Sequence, residues 1–344
     1  MELRSQVIDG TRTLCNCLVV LVHAYPFLYF EHKGFDWYLM RFITCYLAHL
    51  LLPTLFLISG WLLFRDFTIG KYGQKLLSRM KRLLIPFVCW NLLYVFLFAL
   101  MAFLNSRAAG KLEAVNTVNG FAMSVLPLPW GAPLDTPMWF ARDLFYLALI
   151  SPIFYWCYRK IPLAAHVCVA IMPIVWAFIF NCGMAWFKPY EISTFYVGGL
   201  LAVRKRDLAE SCLKNGRWLV PVAVAAIGGA FALDFYGIPT SLGAYGVRDL
   251  AFVLGAPLFI CLAGTFPALY DNRVGEALRL AGFFIYAGHI YVVSLVMHGL
   301  KGRLGGCTLT SFAIALVSMV VMSVIYKLWR RMNARSLRFF DGTL

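Results

Sequence analysis

An arginine and a histidine inside one apolar stretch are the residues of this chain best placed to do chemistry. Arg12 and His23 lie eleven positions apart in the run DGTRTLCNCLVVLVHAYPFLYF. At 3.6 residues per helical turn this spacing is about three turns, so both side chains point the same way, about 16 Å apart along the axis. Ionisable side chains facing hydrocarbon are costly, so a basic pair on one face of a membrane helix indicates function. The spacing predicts a polar track from one membrane surface toward the interior.

Each of these two residues also has a structural interpretation. A buried histidine can simply hydrogen-bond a neighbouring helix, whereas a neutral imidazole in a dry site can accept a proton near pH 7 as a general base. Arg12 can be an anchor whose head group reaches the cytoplasmic interface, and Asp9, three residues earlier, can pair with it. Their shared helix face favours function, with His23 and Arg12 as the predicted catalytic residues.

Two further groups of residues are candidate binding sites. In the basic segment KYGQKLLSRMKRLLIP, Arg79 and Arg82 are spaced to share one helix face. Paired arginines match phosphate geometry, although on charge alone retention by anionic lipid is the favoured interpretation. In PMWFARDLFYLALISP, Trp139 is followed by Arg142 and Asp143 about one turn into a helix. Adjacent helical positions diverge, so Arg142 and Asp143 are each expected to have a separate partner.

The remaining histidines and the cysteines give weaker signals. His289 lies near the middle of the run FFIYAGHIYVV, where a lone histidine is more often a hydrogen-bond partner than a catalyst. His49 has no second polar residue nearby to support a role. The ten cysteines are scattered without metal-ligand spacing, so no metal site is predicted.

The composition excludes a water-soluble domain. The chain has 344 residues, of which 61% are hydrophobic and 14% charged, and its mean hydropathy is +0.75; soluble domains carry about 25% charged residues. A net charge of +15 would suggest nucleic acid in a soluble protein, but here the basic residues lie between apolar runs and report topology. We therefore expect a polytopic membrane protein with no nucleic-acid partner.

Apolar runs of about 20 residues recur along the whole chain. They predict an all-α integral membrane protein, a bundle of about ten transmembrane helices, because only helices and closed barrels satisfy backbone groups in lipid. Lys and Arg concentrate in alternate connections, which predicts that both termini are cytoplasmic. No small-residue cleavage site follows the first run, so it is expected to be retained, and 1–344 is expected to form one transmembrane domain. The longest outer connection, 105–137, is partly apolar and is expected to fold back into the bundle. The predicted spans are 13–30, 38–64, 84–104, 138–158, 162–180, 190–203, 218–236, 247–264, 280–300 and 309–329.

In order and spacing, these motifs resemble the membrane-bound acyltransferase family 3, ten-span bacterial proteins that add acetyl or other short acyl groups to extracytoplasmic glycans. The family's first-helix signature is an arginine, ten intervening residues and a histidine, as in Arg12 and His23, with an upstream aspartate matched by Asp9. The later family motifs are matched by Phe56, Ser59 and Gly60 (with Trp61 where Phe is usual), by Arg79 and Arg82 before Pro86, by Trp139, Phe140 and Asp143, and by Tyr286 and His289.

The resemblance implies an O-acyltransferase of the bacterial inner membrane. Its donor would be cytoplasmic acyl-CoA, acetyl-CoA in the first place, bound by Arg79 and Arg82, and its acceptor a hydroxyl of an extracytoplasmic or lipid-linked saccharide. Trp139, Arg142, Asp143 and His289 are then the candidates for contact with the acceptor. The alternatives are a transporter or flippase for a saccharide or small anion, although the repeated halves common in transporters are not found, and a scaffold subunit. The oligomeric state, the acyl group and the glycan stay open.

Overall fold

The structure, a computed structural model, describes residues 2–24, 34–104, 117–180, 187–236, 244–299 and 308–343. Every regular element in these ranges is helical, which confirms the all-α prediction. In chain order the α-helices are α1 (Glu2–His23), α2 (Phe35–Arg41), α3 (Leu51–Phe64), α4 (Tyr72–Arg79), α5 (Ile85–Leu104), α6 (Val118–Val125), α7 (Trp139–Leu149), α8 (Ser151–Lys160), α9 (Leu163–Phe180), α10 (Pro189–Val203), α11 (Leu208–Phe235), α12 (Ala244–Gly255), α13 (Leu258–Thr265), α14 (Arg273–Leu280), α15 (Gly282–Gly299), α16 (Thr308–Met332) and α17 (Ala334–Asp341).

Within the described ranges, six helical runs are long and apolar enough to cross a membrane, which indicates a multi-pass membrane protein. The pair formed by α14 and α15, bent by 80°, would make a seventh span. All seven coincide with predicted runs, whereas the count of ten and the cytoplasmic position of the termini stay predictions. The six runs are Phe35–Phe64, Ile69–Leu100, Leu163–Phe180, Leu208–Phe235, Gly246–Thr265 and Thr308–Met332.

The other three predicted spans are an enclosed charged helix, an enclosed short helix and a broken run. Helix α1, which carries Arg12, packs against α3, α13, α15 and α16, and residues 25–30 of its predicted span lie outside the described residues. Helix α10 is 15 residues long and mostly buried. The prediction of one helix over 138–158 is wrong: the run breaks at Ile150. Pro152, in the first turn of α8, has no amide hydrogen with which to continue the helical bonding.

Helices α3 and α10 cross at the closest approach of two backbones in the bundle core. A Cβ at Gly60 would overlap the carbonyl oxygen of Phe195, and a Cβ at Gly198 would overlap that of Leu57. Small residues allow membrane helices to approach this closely. The small Ser59–Gly60 pair, predicted to suit helix packing, therefore lies at a true helix crossing.

The described half of the long connection packs against the bundle, as expected. The Tyr146 hydroxyl on α7 donates to the carbonyl of Pro127 at 2.8 Å. Asp135 is fully buried, and its backbone N–H donates to Asn91 Oδ1 at 2.9 Å. These contacts fix the start of α7 against α5, while 105–116 lie outside the described residues.

Replacing Gly198 with alanine should destabilise the bundle by about 1–3 kcal/mol, because the new Cβ would meet backbone atoms that have no rotamer with which to yield. Gly228→Ala on α11 is the matched control, since nothing lies within 4 Å of a Cβ there. It should be neutral or stabilising by up to about 1 kcal/mol. Thermal unfolding of the detergent-solubilised variants measures both. Equal melting temperatures for the two would contradict the close crossing.

Candidate functional site

Two histidines from distant parts of the chain meet at the end of α1. His23 Nδ1 lies 3.2 Å from His289 Nε2 on α15, and the ring centroids are 5.0 Å apart. His23 Nδ1 is also 2.9 Å from the carbonyl oxygen of Val19, one turn earlier on α1. His289 is completely buried, whereas His23 keeps part of its surface open. In this pair the His23 imidazole is therefore partly accessible, and the buried His289 imidazole packs against it.

Three arginines gather beside the middle of α1, about three turns before His23. Arg79 interacts electrostatically with both Arg12 and Arg82. Arg12 forms a long ion pair of 3.7 Å with Asp9, and 54% of its side chain is exposed. Arg12, the predicted catalytic arginine, thus lies with the predicted donor-binding pair, Arg79 and Arg82. We call these three residues the basic cluster. Like charges this close repel one another unless an anion joins them, so the cluster suits a phosphate-bearing ligand.

A π-helical turn, Met80–Leu84, lies within the basic cluster. It follows directly on α4, which ends at Arg79, and it contains Arg82. Single π-helical turns inside α-helices are frequently found at functional sites. The sequence predicted a plain amphipathic helix here and gave no sign of the extra residue in the turn.

Helix α7 runs from a contact with the start of α4 to a second polar cluster. At its C-terminal end the carbonyl of Leu149 accepts a 2.8 Å hydrogen bond from the Tyr72 hydroxyl on α4. At its first residue the ring of Trp139 lies 3.4 Å from Lys188 Nζ. Trp139 and Leu149 are ten residues apart, about 15 Å along the helix axis, which is close to the axial distance between Arg12 and His23.

The second cluster, named here the Lys188 cluster, combines Trp139, Asp143, Lys188, Glu191 and Asp249. Lys188 is exposed and interacts electrostatically with all three carboxylates. Glu191 is fully buried, and neither of its carboxylate oxygens has a hydrogen-bond partner among the described residues. An aromatic face beside carboxylates and an ammonium is able to hold a polyhydroxylated ligand. Lys188, Glu191 and Asp249 were missed by the sequence analysis.

Arg142 and Asp143 are paired with each other, which corrects the prediction of separate partners. Arg142 Nε donates to Asp143 Oδ1 at 2.7 Å, and both side chains are almost fully buried. Although their Cα atoms are adjacent, the long arginine side chain bends back to reach its neighbour. Arg142 also donates to the carbonyls of Leu128 and Gly131. Its Nε and Nη1 donors are therefore used within the protein, and of this pair Asp143 is the better candidate for contact with an acceptor.

His49 interacts with both the histidine pair and the Lys188 cluster, whereas the sequence showed no polar residue near it. It stacks on Phe252 with ring centroids 5.5 Å apart and interacts electrostatically with His23 and Lys188. Its neighbours come from α1 and from the start of α10, so no local motif could have revealed them. Polar side chains therefore continue from the histidine pair through His49 to the Lys188 cluster.

The described residues include no group of three or more His, Cys, Asp or Glu side chains that could hold a metal ion. The basic cluster is suited to bind an anion, and the histidine pair is suited to transfer a proton. Together with the helical bundle, these features define the class: a multi-pass helical membrane protein in which one enclosed helix carries an arginine cluster at its middle and a histidine pair at its C-terminal end.

Comparison with known proteins places the chain within this class. It belongs to a family of acyltransferase domains, acyltransferase family 3, whose model matches residues 6–328. It is also similar to the succinoglycan biosynthesis protein ExoH of Rhizobium meliloti (strain 1021), with 28% identity over 183 residues, 48% of this chain and 47% of ExoH. The chain thus aligns with about half the length of that relative. No solved structure matches it.

Removing the buried arginine should unfold the start of α7. Arg142→Ala leaves the Asp143 carboxylate buried without its partner, a change that typically destabilises by about 3–5 kcal/mol. Arg65→Ala is the control, because Arg65 and Asp66 are also adjacent but both are exposed, so the loss there should stay below about 1 kcal/mol. Chemical denaturation of the two purified variants tests the difference. An Arg142→Ala protein as stable as Arg65→Ala would contradict a structural role.

Proposed function

We propose that this protein is an integral membrane O-acyltransferase of the bacterial inner membrane. It moves an acyl group, acetyl in the first instance, from cytoplasmic acyl-CoA to a hydroxyl of an extracytoplasmic or lipid-linked saccharide. Membership of an acyltransferase family supports the reaction class. The observation that carries the proposal is that α1 carries an arginine cluster at its middle and a histidine pair at its C-terminal end.

The basic cluster is the proposed donor site. Coenzyme A carries several phosphate charges, and Arg12, Arg79 and Arg82 supply guanidinium groups that fit phosphate bidentately. The pantetheine arm then extends along α1 toward His23, over the roughly 16 Å that separate Arg12 from His23. In this arrangement the helix spans the gap between a cytoplasmic thioester and an acceptor on the far side.

The histidine pair is the proposed site of chemistry. His23 Nε2 takes the proton of the acceptor hydroxyl while the hydroxyl oxygen forms a bond to the thioester carbonyl carbon. The carbon–sulfur bond then breaks, and the proton passes from His23 to the departing thiolate to give free CoA. A covalent acyl-histidine relay is the other route open to the same residue. Holding donor and acceptor in one dry site supplies much of the rate enhancement.

The Lys188 cluster and the start of α7 form the proposed acceptor side. Trp139 offers an aromatic face, Asp143 offers hydrogen-bond acceptors, and Lys188 offers donors. The name of ExoH points to a polysaccharide pathway for that relative, and we extend this to a saccharide acceptor here.

His23→Ala should abolish acyl transfer, because it removes the group that accepts the proton of the hydroxyl. The protein should stay folded, because part of the His23 side chain is exposed. The measurement is mass spectrometry of surface glycans from cells carrying wild type, His23→Ala or no gene. An acyl mass present only with wild type supports the proposal. Full acylation by a folded His23→Ala protein would dismiss the base, and glycan export without acylation would favour a flippase.

Arg79→Gln should weaken CoA binding about 10- to 100-fold, the loss expected for a hydrogen bond to a charged group. Arg204→Gln is the charge-matched control, since Arg204 is an exposed residue just after α10. Thermal stabilisation of the purified protein by CoA gives the two dissociation constants. Equal effects of both substitutions would show that only general positive charge attracts CoA.

A further inference from the structure

The second histidine of the pair has both ring nitrogens engaged. His289 Nδ1 lies 2.8 Å from the carbonyl oxygen of Tyr286 and 3.1 Å from that of Ile285. Its Nε2 faces His23 Nδ1 at 3.2 Å. Because His289 is completely buried, no ring nitrogen is left to contact a saccharide. The acceptor contact expected from the sequence therefore does not fit the geometry of this side chain.

The neighbouring carbonyl groups determine where the proton of His289 sits. A carbonyl oxygen can only accept a hydrogen bond, so Nδ1 must carry the hydrogen. The opposite tautomer would place a lone pair against two carbonyl oxygens inside the protein, where an unmet or repulsive polar contact is costly. Nε2 consequently carries no hydrogen, and its lone pair can only accept a hydrogen bond from His23.

The same argument fixes the tautomer of His23. Its Nδ1 faces two acceptors, the Val19 carbonyl oxygen at 2.9 Å and the His289 lone pair at 3.2 Å. Nδ1 must therefore carry a hydrogen that both acceptors share. In the neutral ring this leaves His23 Nε2 unprotonated, which is the state required of a general base.

We propose that His289 is a positioning residue whose Nε2 lone pair orients the His23 ring and stabilises the imidazolium that forms when His23 takes up a proton. The inference rests on the proposed acyl transfer but concerns a step that the family assignment does not describe. The Nδ1–H bond to His289 strengthens once His23 becomes charged. An interaction that strengthens in the transition state raises kcat and leaves substrate binding unchanged.

Two substitutions at His289 and one at His166 separate positioning from substrate contact and from simple packing. His289→Gln keeps an acceptor oxygen close to the place of Nε2, His289→Leu removes it with little change in volume, and His166→Leu is the control. His166 is also buried and hydrogen-bonded, at 2.6 Å to the Tyr196 hydroxyl, but it lies on α9 away from the pair. Wild-type melting temperatures identify the variants that fold.

The kinetic measurement uses radiolabelled acetyl-CoA and glycan-containing membranes from cells that lack the gene. His289→Leu should lower kcat about 10- to 100-fold, the worth of one hydrogen bond to a charged group, with unchanged KM for either substrate. His289→Gln should recover most of that loss, and His166→Leu should show none. A raised acceptor KM with unchanged kcat would restore the substrate-contact role, and equal losses for Gln and Leu in folded proteins would overturn the acceptor role.

Nitrogen NMR of protein labelled with ¹⁵N-histidine tests the tautomers without any activity. The His23 signals, identified by their loss in His23→Ala, should show a protonated Nδ1 and a bare Nε2. His289→Leu should broaden or shift the Nδ1 signal, whereas His166→Leu should leave it unchanged. A protonated Nε2 on neutral His23 would overturn the inference, even if acyl transfer itself were confirmed. Loss of transfer in His23→Ala with wild-type kinetics in His289→Leu would sink this inference alone.

Discussion

Ionisable side chains inside an apolar bundle must find their partners within the protein, and this requirement determines which helices lie at its centre. Helix α1, with Arg12 and His23, is enclosed by α3, α13, α15 and α16. Helix α10 opens with Glu191 and is buried over most of its length. The helices at the surface, such as α9 and α16, carry the apolar side chains instead. Lipid contact and chemistry are thereby assigned to different helices.

Two enclosed helices connect polar groups that lie far apart. Helix α1 leads from the basic cluster to the histidine pair, and α7 leads from the α4 end to Trp139 and the Lys188 cluster. His49 links the histidine pair electrostatically with Lys188. A rigid helix keeps its end-to-end distance, so the separation of the two sites is built into the backbone and does not depend on loops.

The sequence predicted those features that depend on local pattern. Seven apolar runs, the shared face of Arg12 and His23, and the small residues at Gly60 all follow from spacing along one helix. Contacts across 266 positions, as between His23 and His289, leave no local trace. The break at Ile150 was missed because Pro152 lies within a continuous apolar run. The Arg142–Asp143 pair was missed because adjacent helical positions diverge at Cα, although a long arginine side chain is able to bend back to its neighbour. The roles of Arg12, His23 and the donor pair stay predictions.

The contact of bare backbone with bare backbone between α3 and α10 has a dynamic consequence. With no side chains to repack at Gly60 and Gly198, these two helices have no room to slide or rotate past each other. If the bundle opens to admit a bulky molecule, α3 and α10 must therefore move as one rigid unit, and the hinges must lie elsewhere. The 80° bend between α14 and α15 lies outside this crossing, and it leads directly into the helix that carries His289.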